Sequence, residues 1–304
     1  VNVITYKQLS GLSHREGRKV CEEIRGWVDY VRYVMNLEDE ILRELSGHRG
    51  FRELLVSVDT NPKYLVTALT LFRSIRGVGL ESGKSYEFLE DLVAIALTFI
   101  YGGDPFHYGY KQRGEELPDS VFVVWRSENE ASKVDLIGLV DAKSTNLKLG
   151  KADVPKYLGY IRKVRSLPWT AKTALFFVSL DSCEKIVERY RKCPEDKGLK
   201  GFYNKLAESL KGNEYVVILP LDSLIVLIDT YLSIIRRIGL SKGRSGIYDI
   251  FRRVITPAPL NPVMIKLGDK LFCMCPEKLQ NYIKEKTKNI WIASELREAF
   301  DVEV

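Results

Sequence analysis

Two short charged motifs place the residues best suited to chemistry. Pro118-Asp119 opens a run of β-branched and aromatic residues, and Asp141-Ala142-Lys143 closes a second apolar run. The stretch between the runs is polar and turn-like, so the segment predicts a β-hairpin that returns Asp141 beside Asp119. Side chains alternate faces along a strand, and Asp141 and Lys143 therefore point the same way. The spacing brings two carboxylates and one ammonium to one spot.

These three groups are the minimal equipment for metal-dependent cleavage of a phosphodiester. Mg²⁺ prefers carboxylate oxygens and retains waters, which leaves room for a substrate phosphate. Bound there, it polarises a phosphoryl oxygen and lowers the pKa of a water molecule. Lys143 would orient the attacking water and offset charge in the transition state. The plainer interpretation makes Pro-Asp a strand opener and Asp-x-Lys a solvated surface pair.

The elements around the hairpin predict an α/β core. Apolar residues at helical spacing over 86–100 predict a helix that ends at Gly102-Gly103. Downstream, buried strands alternate with amphipathic helices. The helices are predicted at 152–164, 183–191 and about 222–238, and the strands at 173–179 and 215–219.

This order and these residues resemble the PD-(D/E)xK nuclease superfamily, and within it the cleavage domain of FokI-type restriction endonucleases. The resemblance covers roughly residues 86–240, about half of the chain. Short matching segments carry it, in a compatible order. They are Leu89-Glu90, Phe99-Ile100-Tyr101-Gly102, Pro118-Asp119, Val140-Asp141-Ala142-Lys143, Leu149-Gly150-Lys151-Ala152-Asp153 and the strand Leu175-Phe176-Phe177-Val178-Ser179.

The resemblance implies a restriction-endonuclease-like core, a central mixed sheet flanked by helices, and a DNA endonuclease that uses Mg²⁺ or Mn²⁺. By the resemblance, Asp119 and Asp141 correspond to the metal-binding acids, and the carbonyl of Ala142 to a further ligand. Lys143 corresponds to the catalytic lysine. Glu90 would be the acidic residue that the first helix contributes, with Glu87 as its competitor. The product would carry a 5′-phosphate.

Three regions are predicted along the chain. Residues 1–80 read as a helical N-terminal region, 81–255 as the nuclease core, and 256–304 as a small C-terminal module. A winged-helix-like fold and a packing appendage both fit the last region. FokI-type enzymes carry a large sequence-reading region ahead of the cleavage domain, whereas about eighty residues precede the core here. Recognition is therefore expected from the flanks, from a companion subunit or from a further part of the protein.

Charge favours a nucleic-acid partner. The net charge is +6, and residues 142–172 hold eight Lys or Arg with Asp153 as their only acid. A second basic cluster spans 236–253. Such patches bind phosphates in a salt-dependent manner, although a solvated face is the alternative interpretation. The residues expected to contact DNA are Lys148, Lys151, Lys156, Arg236, Arg237 and Arg244.

Other chemistries have little support in the sequence. Three histidines without metal-ligand spacing argue against a histidine-metal nuclease. Five scattered cysteines in 304 residues are typical of a reduced, cytoplasmic protein rather than a disulfide framework, and no zinc motif is evident. No uninterrupted apolar run reaches 18 residues, so no membrane partner is expected.

The expected function is therefore that of a restriction-type endonuclease acting on double-stranded DNA. One active site cuts one strand, so a homodimer or a companion subunit is expected for a double-strand break. Two alternatives remain. One is a structure-specific nuclease of DNA repair, and the other is a non-catalytic DNA-binding protein with a nuclease-like core.

Overall fold

A computed structural model of the chain describes residues 36–41, 43, 51–76, 85–102, 117–126, 133–143, 146–167, 171–238 and 244–288. Only the backbone is described at 75–76, 85, 236–238 and 244–245. The chain divides into two compact units, residues 1–47 and residues 48–304. In the first unit, residues 36–41 are helical.

Among the described residues of the second unit, three helices precede the sheet. They are α1 (Phe51–Thr60), α2 (Lys63–Arg76) and α3 (Ser85–Tyr101). The third is the helix that the apolar stripe over 86–100 predicts, and it is buried along most of its length. It ends at Tyr101 and is followed by Gly102, whose φ of 92° lies in the left-handed region that glycine adopts without strain.

The predicted hairpin is present as β1 (Ser120–Trp125) and β2 (Val134–Lys143), which pair antiparallel. Gly138 allows the two strands to pack closely, because a Cβ at this position would lie 2.1 Å from Cε1 of Phe122. The Phe122 ring also contacts Phe176, with 5.1 Å between ring centroids. This packing fixes the hairpin on the core and places both charged motifs at one end of it.

Helices and strands alternate after the hairpin. The strands β2, β3 and β4 run parallel, since helices provide the crossover from each strand to the next. Two helices, α6 and α8, have no counterpart among the predicted elements. The elements are a 3-10 turn (Lys151–Asp153), α4 (Val154–Arg165), β3 (Lys172–Ser179), α5 (Cys183–Lys192), α6 (Gly198–Ala207), β4 (Glu214–Pro220), α7 (Leu221–Ile238) and α8 (Arg244–Ile255).

The C-terminal strands extend this same sheet. Two further strands, β5 (Met264–Lys266) and β6 (Leu271–Met274), pair antiparallel, and α9 (Pro276–Lys286) follows. However, β6 also pairs with β4, with Ile218 opposite Cys273. The segment predicted to form a separate C-terminal module thus completes the core sheet, because β6 finds a hydrogen-bonding partner there. A second boundary is predicted between residues 80 and 81. The helix before it, α2, packs against α3 and α7, which follow it in the chain.

The architecture is α/β, with a mixed six-stranded sheet in the order β1-β2-β3-β4-β6-β5. On one face, α4 and α6 pack against β3 through Tyr157, Phe177 and Phe202, whose rings meet edge to face. On the other face, α3 lies against β1 and β2. The prediction of an α/β core with a mixed, helix-flanked sheet is confirmed. Among the helices described, none combines the length and apolar character needed to cross a membrane.

The sequence predicts reduced cysteines, and this prediction is wrong for one pair. Cys183 and Cys275, which are 92 residues apart, form a disulfide. Cys183 opens α5 after β3, and Cys275 follows β6, so the parallel sheet brings their Cα atoms to 5.4 Å. This separation lies within the range for a disulfide. Local cysteine spacing contains no information about it.

Candidate active site

The two predicted acids meet at the open end of the β1–β2 hairpin. Asp119 lies one residue before β1, and its N–H donates to the carbonyl of Val140 at 2.9 Å. Its Oδ2 accepts a hydrogen bond from the N–H of Ala142 at 2.7 Å. Because Ser120 pairs with Val140, these contacts continue the strand ladder by one residue. The structure therefore sets Asp119 beside Asp141.

Asp141 is buried, with 3% of its surface exposed, and three groups bind its carboxylate. The Nζ of Lys143 lies 2.5 Å from Oδ2, and the Nζ of Lys156 lies 3.1 Å from Oδ1. The hydroxyl of Tyr157 donates to Oδ2 at 3.1 Å. A buried carboxylate requires such pairing, because its desolvation is otherwise costly.

Three acids interact electrostatically at this point. Burial, followed by the charges of Asp141 and Glu90, raises the pKa of Asp119 to about 8, against the opposing effects of the Ala142 N–H and Lys143. Like charges brought close together in a buried setting are responsible for a shift in this direction. A cation among these carboxylates would remove the repulsion.

Glu90 joins this group from α3. It is partly exposed, and its charge contributes to the raised pKa of Asp119. The competing acid of the same helix, Glu87, is buried and accepts a hydrogen bond from the hydroxyl of Tyr86 at 3.0 Å. Ala142, whose carbonyl is the remaining predicted ligand, pairs with Val178 of β3.

Two residues of α4 complete the surroundings of Asp141, and sequence reasoning does not anticipate their place there. Lys156 is predicted to contact DNA, yet its Nζ binds Asp141 and lies 5.2 Å from the ring centroid of Tyr157 and 5.7 Å from that of Tyr160. Burial, and then the charge of Asp141, raise the pKa of Tyr157 well above its usual value, so its hydroxyl remains a donor. Neither contact has a local sequence signal, since α4 meets β2 only through tertiary packing.

The structure describes the side chains of two of the other five residues predicted to contact DNA. Lys148 and Lys151 are exposed on the segment that follows β2. The side chains of Arg236, Arg237 and Arg244 lie outside the described part of the chain.

Some basic residues of the two clusters have structural partners. Arg165 donates to both carboxylate oxygens of Glu214 at 2.6 Å, and Arg252 donates to Asp135 at 2.9 Å. For Arg165 and Arg252, an ion pair within the fold accounts for the charge.

The segment that carries Lys148 is anchored to the fold. Asp181, which is 4% exposed, accepts a hydrogen bond from the N–H of Leu147 at 2.9 Å. Arg189 of α5 donates to both carboxylate oxygens of Asp181, at 3.0 and 3.2 Å, and to the carbonyl of Leu147 at 3.3 Å. Residues 146–150 and α5 line a pocket of about 490 Å³ beside this anchor. The anchor holds the exposed lysine at a defined position after β2.

No protein-family model and no curated protein sequence matches this chain. The chemistry of the site is therefore inferred from the residues and their geometry. The feature that bears most directly on it is the convergence of Asp119, Asp141 and Lys143.

Proposed function

We propose that the protein is a metal-dependent endonuclease that hydrolyses phosphodiester bonds of double-stranded DNA. One observation carries the proposal: Asp119, Asp141 and Lys143 meet at the end of a single hairpin, with Lys143 Nζ 2.5 Å from Asp141 Oδ2. Paired carboxylates next to an ammonium provide metal ligands and a fixed positive charge together. Hydrolysis of a phosphodiester needs both.

Mg²⁺ fits the donor set, and Mn²⁺ would replace it. Asp119, Asp141 and the carbonyl of Ala142 would hold the ion, and Glu90 would supply a further acid nearby. The donors are hard oxygens, and burial, together with repulsion from Asp141 and Glu90, raises the pKa of Asp119 to about 8. The ion would supply Lewis-acid polarisation of the phosphate and a water of lowered pKa.

Lys143 is the residue that acts on the substrate in this proposal. Its side chain is 31% exposed, whereas that of Asp141 is 4% exposed, so the ammonium lies between the buried acid and solvent. From there it orients the attacking water and offsets the charge that develops on the phosphate oxygens. Asp141 positions the ammonium, and Tyr157 in turn positions Asp141 through its hydroxyl.

Lys148 and Lys151 would bind the phosphates that flank the scissile bond. Both are exposed, and both follow β2 within a few residues of Lys143. The Asp181–Arg189 anchor limits the movement of the segment that bears Lys148. Contacts of this kind give affinity without base specificity and fix the register of the duplex.

The arrangement of elements supports a PD-(D/E)xK assignment of the core and a restriction-type activity. A helix that supplies an acid, the hairpin with two acids and a lysine, and a following helix over the same strand occur in the order that the resemblance implies. A double-strand break would need two sites, which a homodimer or a companion subunit would provide.

Supercoiled plasmid incubated with the protein and Mg²⁺, then resolved on a gel, tests the proposal. We expect cleavage by the wild type and its loss in Asp141→Asn, with Asp269→Asn as the matched control. Asp269 is an exposed acid beside Lys266 in the β5–β6 turn, and its loss leaves the site intact. Circular dichroism would verify that both variants fold.

The products would define the class of nuclease. Discrete linear fragments indicate a site-specific restriction enzyme, and nicked circles indicate a one-strand cutter without its partner. Preference for branched DNA in a parallel assay would replace the restriction assignment by a structure-specific repair nuclease. Equal cleavage by wild type and Asp141→Asn, or no cleavage by the wild type, would refute the proposal.

A further inference from the structure

Three buried cysteines converge at a place remote in sequence from the hairpin site. Cys183 opens α5, Cys273 lies in β6, and Cys275 precedes α9. Their exposed fractions are 2%, 0% and 6%, and their sulfur atoms all lie within 4.8 Å of one another. Three elements therefore place three sulfurs around one point.

A third sulfur atom, that of Cys273, lies next to the disulfide. A disulfide requires Cys183 and Cys275 alone, yet the Sγ of Cys273 lies 3.8 Å from that of Cys183. With zinc–sulfur distances of about 2.3 Å and tetrahedral angles, two thiolates on one zinc ion lie about 3.8 Å apart. The separation between Cys273 and Cys183 therefore equals that of two zinc ligands.

An approach from solvent exists on the side of Cys183 and Cys275. These two cysteines line a pocket of about 570 Å³ together with Glu184 and Glu277. The carboxylate of Glu184 is also close enough to interact electrostatically with the thiol of Cys273. The pocket thus offers a route for an ion, and Glu184 or a water molecule offers a fourth donor.

We propose that the reduced protein binds one zinc ion through Cys183, Cys273 and Cys275. Soft thiolates select zinc over the hard cations that suit the carboxylate site. The bound ion would hold α5, β6 and the start of α9 together from inside the fold, whereas the disulfide links only Cys183 and Cys275. This site is independent of the nuclease proposal and does not use its residues.

The two states interconvert through a balanced reaction. A dithiol reductant gives two electrons and two protons to the Cys183–Cys275 bond and becomes a disulfide itself. Three thiols then face one another, and zinc binding releases their three protons as the thiolates form. Oxidation of Cys183 and Cys275 removes two of the three ligands and expels the ion.

Cobalt titration of the full chain, kept reduced by a phosphine, tests the site. We expect one equivalent of Co²⁺ to bind with a thiolate-to-cobalt charge-transfer absorption, and one equivalent of Zn²⁺ to displace it. The absorption reports sulfur ligands alone, so cations at the carboxylate site do not contribute. Oxidation of the same sample should abolish it.

Single substitutions assign the ligands. Cys273→Ala should lose the absorption, and because it retains Cys183 and Cys275, its oxidised form can be shown by circular dichroism to fold. Cys193→Ser is the matched control, since Cys193 lies at the C-terminal end of α5, where its thiol contacts the carbonyl of Lys197. We expect it to bind cobalt as the wild type does.

Two results would overturn the proposal. One is a reduced wild-type chain that shows no thiolate-to-cobalt absorption, in which case Cys183 and Cys275 form a structural disulfide only. The other is an unchanged absorption in Cys273→Ala. If that variant fails to fold even when oxidised, the absorption intensity of the wild type, which scales with the number of thiolate ligands, decides the question instead.

Discussion

At the residue scale, the two lysines that bind Asp141 differ in what else they touch. Lys143 projects from the same strand as Asp141, and the two side chains are similarly exposed, 31% for Lys143 and 35% for Lys156. Lys156 comes from α4, and its ammonium also lies over the rings of Tyr157 and Tyr160. Cation–π contacts hold Lys156 in place. Within the proposed function, Lys143 is therefore the lysine expected to act on the substrate, and Lys156 is expected to position Asp141.

Replacing Lys143 with Ala should lower the single-turnover cleavage rate at saturating DNA by about 10²- to 10⁴-fold, the usual effect of removing such a group. The matched variant Lys156→Ala removes the other ammonium of Asp141 and should cause a smaller loss. Rapid-quench assays on one labelled duplex measure both rates. Equal losses in the two variants would contradict the distinction between the lysines.

The Arg165–Glu214 pair lets stability be tested apart from activity. Burial opposes ionisation of Glu214, but the hydrogen bonds from Arg165 and the N–H of Lys211 outweigh it, so the pKa of Glu214 is lowered. Because the pKa of Glu214 is lower in the folded state, the pair stabilises the protein at pH values above the ordinary glutamate pKa. The contribution disappears as the pH falls through the folded-state value.

Glu214→Gln should accordingly reduce the free energy of unfolding at neutral pH by roughly 1–3 kcal/mol, the range for a hydrogen bond to a charged group. The difference between wild type and variant should shrink in acid. Urea denaturation at neutral pH and near the folded-state pKa measures it. A difference that grows on acidification would contradict the lowered pKa of Glu214 in the folded state.

At the scale of elements, the hairpin depends on one glycine. Phe122 occupies the space above Gly138, where a Cβ would approach its ring to 2.1 Å. The ring cannot retreat freely, because it also contacts Tyr101 and Phe176. The hairpin end that holds Asp119 and Asp141 is thus coupled to the packing in its middle.

Gly138→Ala should destabilise the protein by about 1–3 kcal/mol, as overpacking of a core does. Gly212→Ala is the matched control, since a Cβ there meets no atom within 4 Å. Urea denaturation compares the two, and the double variant with Phe122→Leu should recover part of the loss. An unaffected Gly138→Ala would mean that the packing is looser than described.

The periodicity of apolar residues along the sequence predicts those helices and strands whose own side chains carry a regular pattern. The α3 stripe, the hairpin, β3 and β4 follow from periodicity, and the convergence of Asp119, Asp141 and Lys143 follows from hairpin geometry and strand alternation. Contacts made by packing have no such signal. The approach of Tyr157 to Asp141 and the disulfide between Cys183 and Cys275 both depend on elements that meet only in the folded sheet.

The C-terminal strands illustrate the same limit. No local feature of residues 264–275 identifies β4 as the neighbour of β6. The strand β6 pairs with the edge of β4 that β3 leaves free, so its place depends on contacts between segments distant in sequence. This long-range step decides whether the segment is a module or part of the core.

At the scale of the whole molecule, the net charge of +6 matters less than its location. Basic side chains such as Arg165 and Arg252 are engaged in ion pairs of the fold. Lys148 and Lys151 are exposed and follow β2 in the sequence, and the proposed function therefore predicts that they bind DNA phosphates.

Neutralising Lys148 and Lys151 together, as Gln, should weaken DNA binding and reduce the slope of log K against log salt by about 1.8, or about 0.9 for each lost phosphate contact. Fluorescence anisotropy with Ca²⁺ in place of Mg²⁺ measures the slope without cleavage. Lys284→Gln with Lys288→Gln, two exposed lysines at the end of the described chain, should leave it unchanged. The same slope in both double variants would show that residues 148–151 form a solvated face that makes no phosphate contacts.

The central claim is that Asp119 and Asp141 support metal-dependent hydrolysis of DNA. Its most direct test is the rate of cleavage of supercoiled plasmid as a function of free Mg²⁺, for the wild type and for Asp119→Asn. We predict no cleavage in chelator, a rate that rises to saturation with Mg²⁺, and a loss of about a hundredfold or more in the variant. Cleavage that persists in chelator, or an identical Mg²⁺ dependence in Asp119→Asn, would contradict the account.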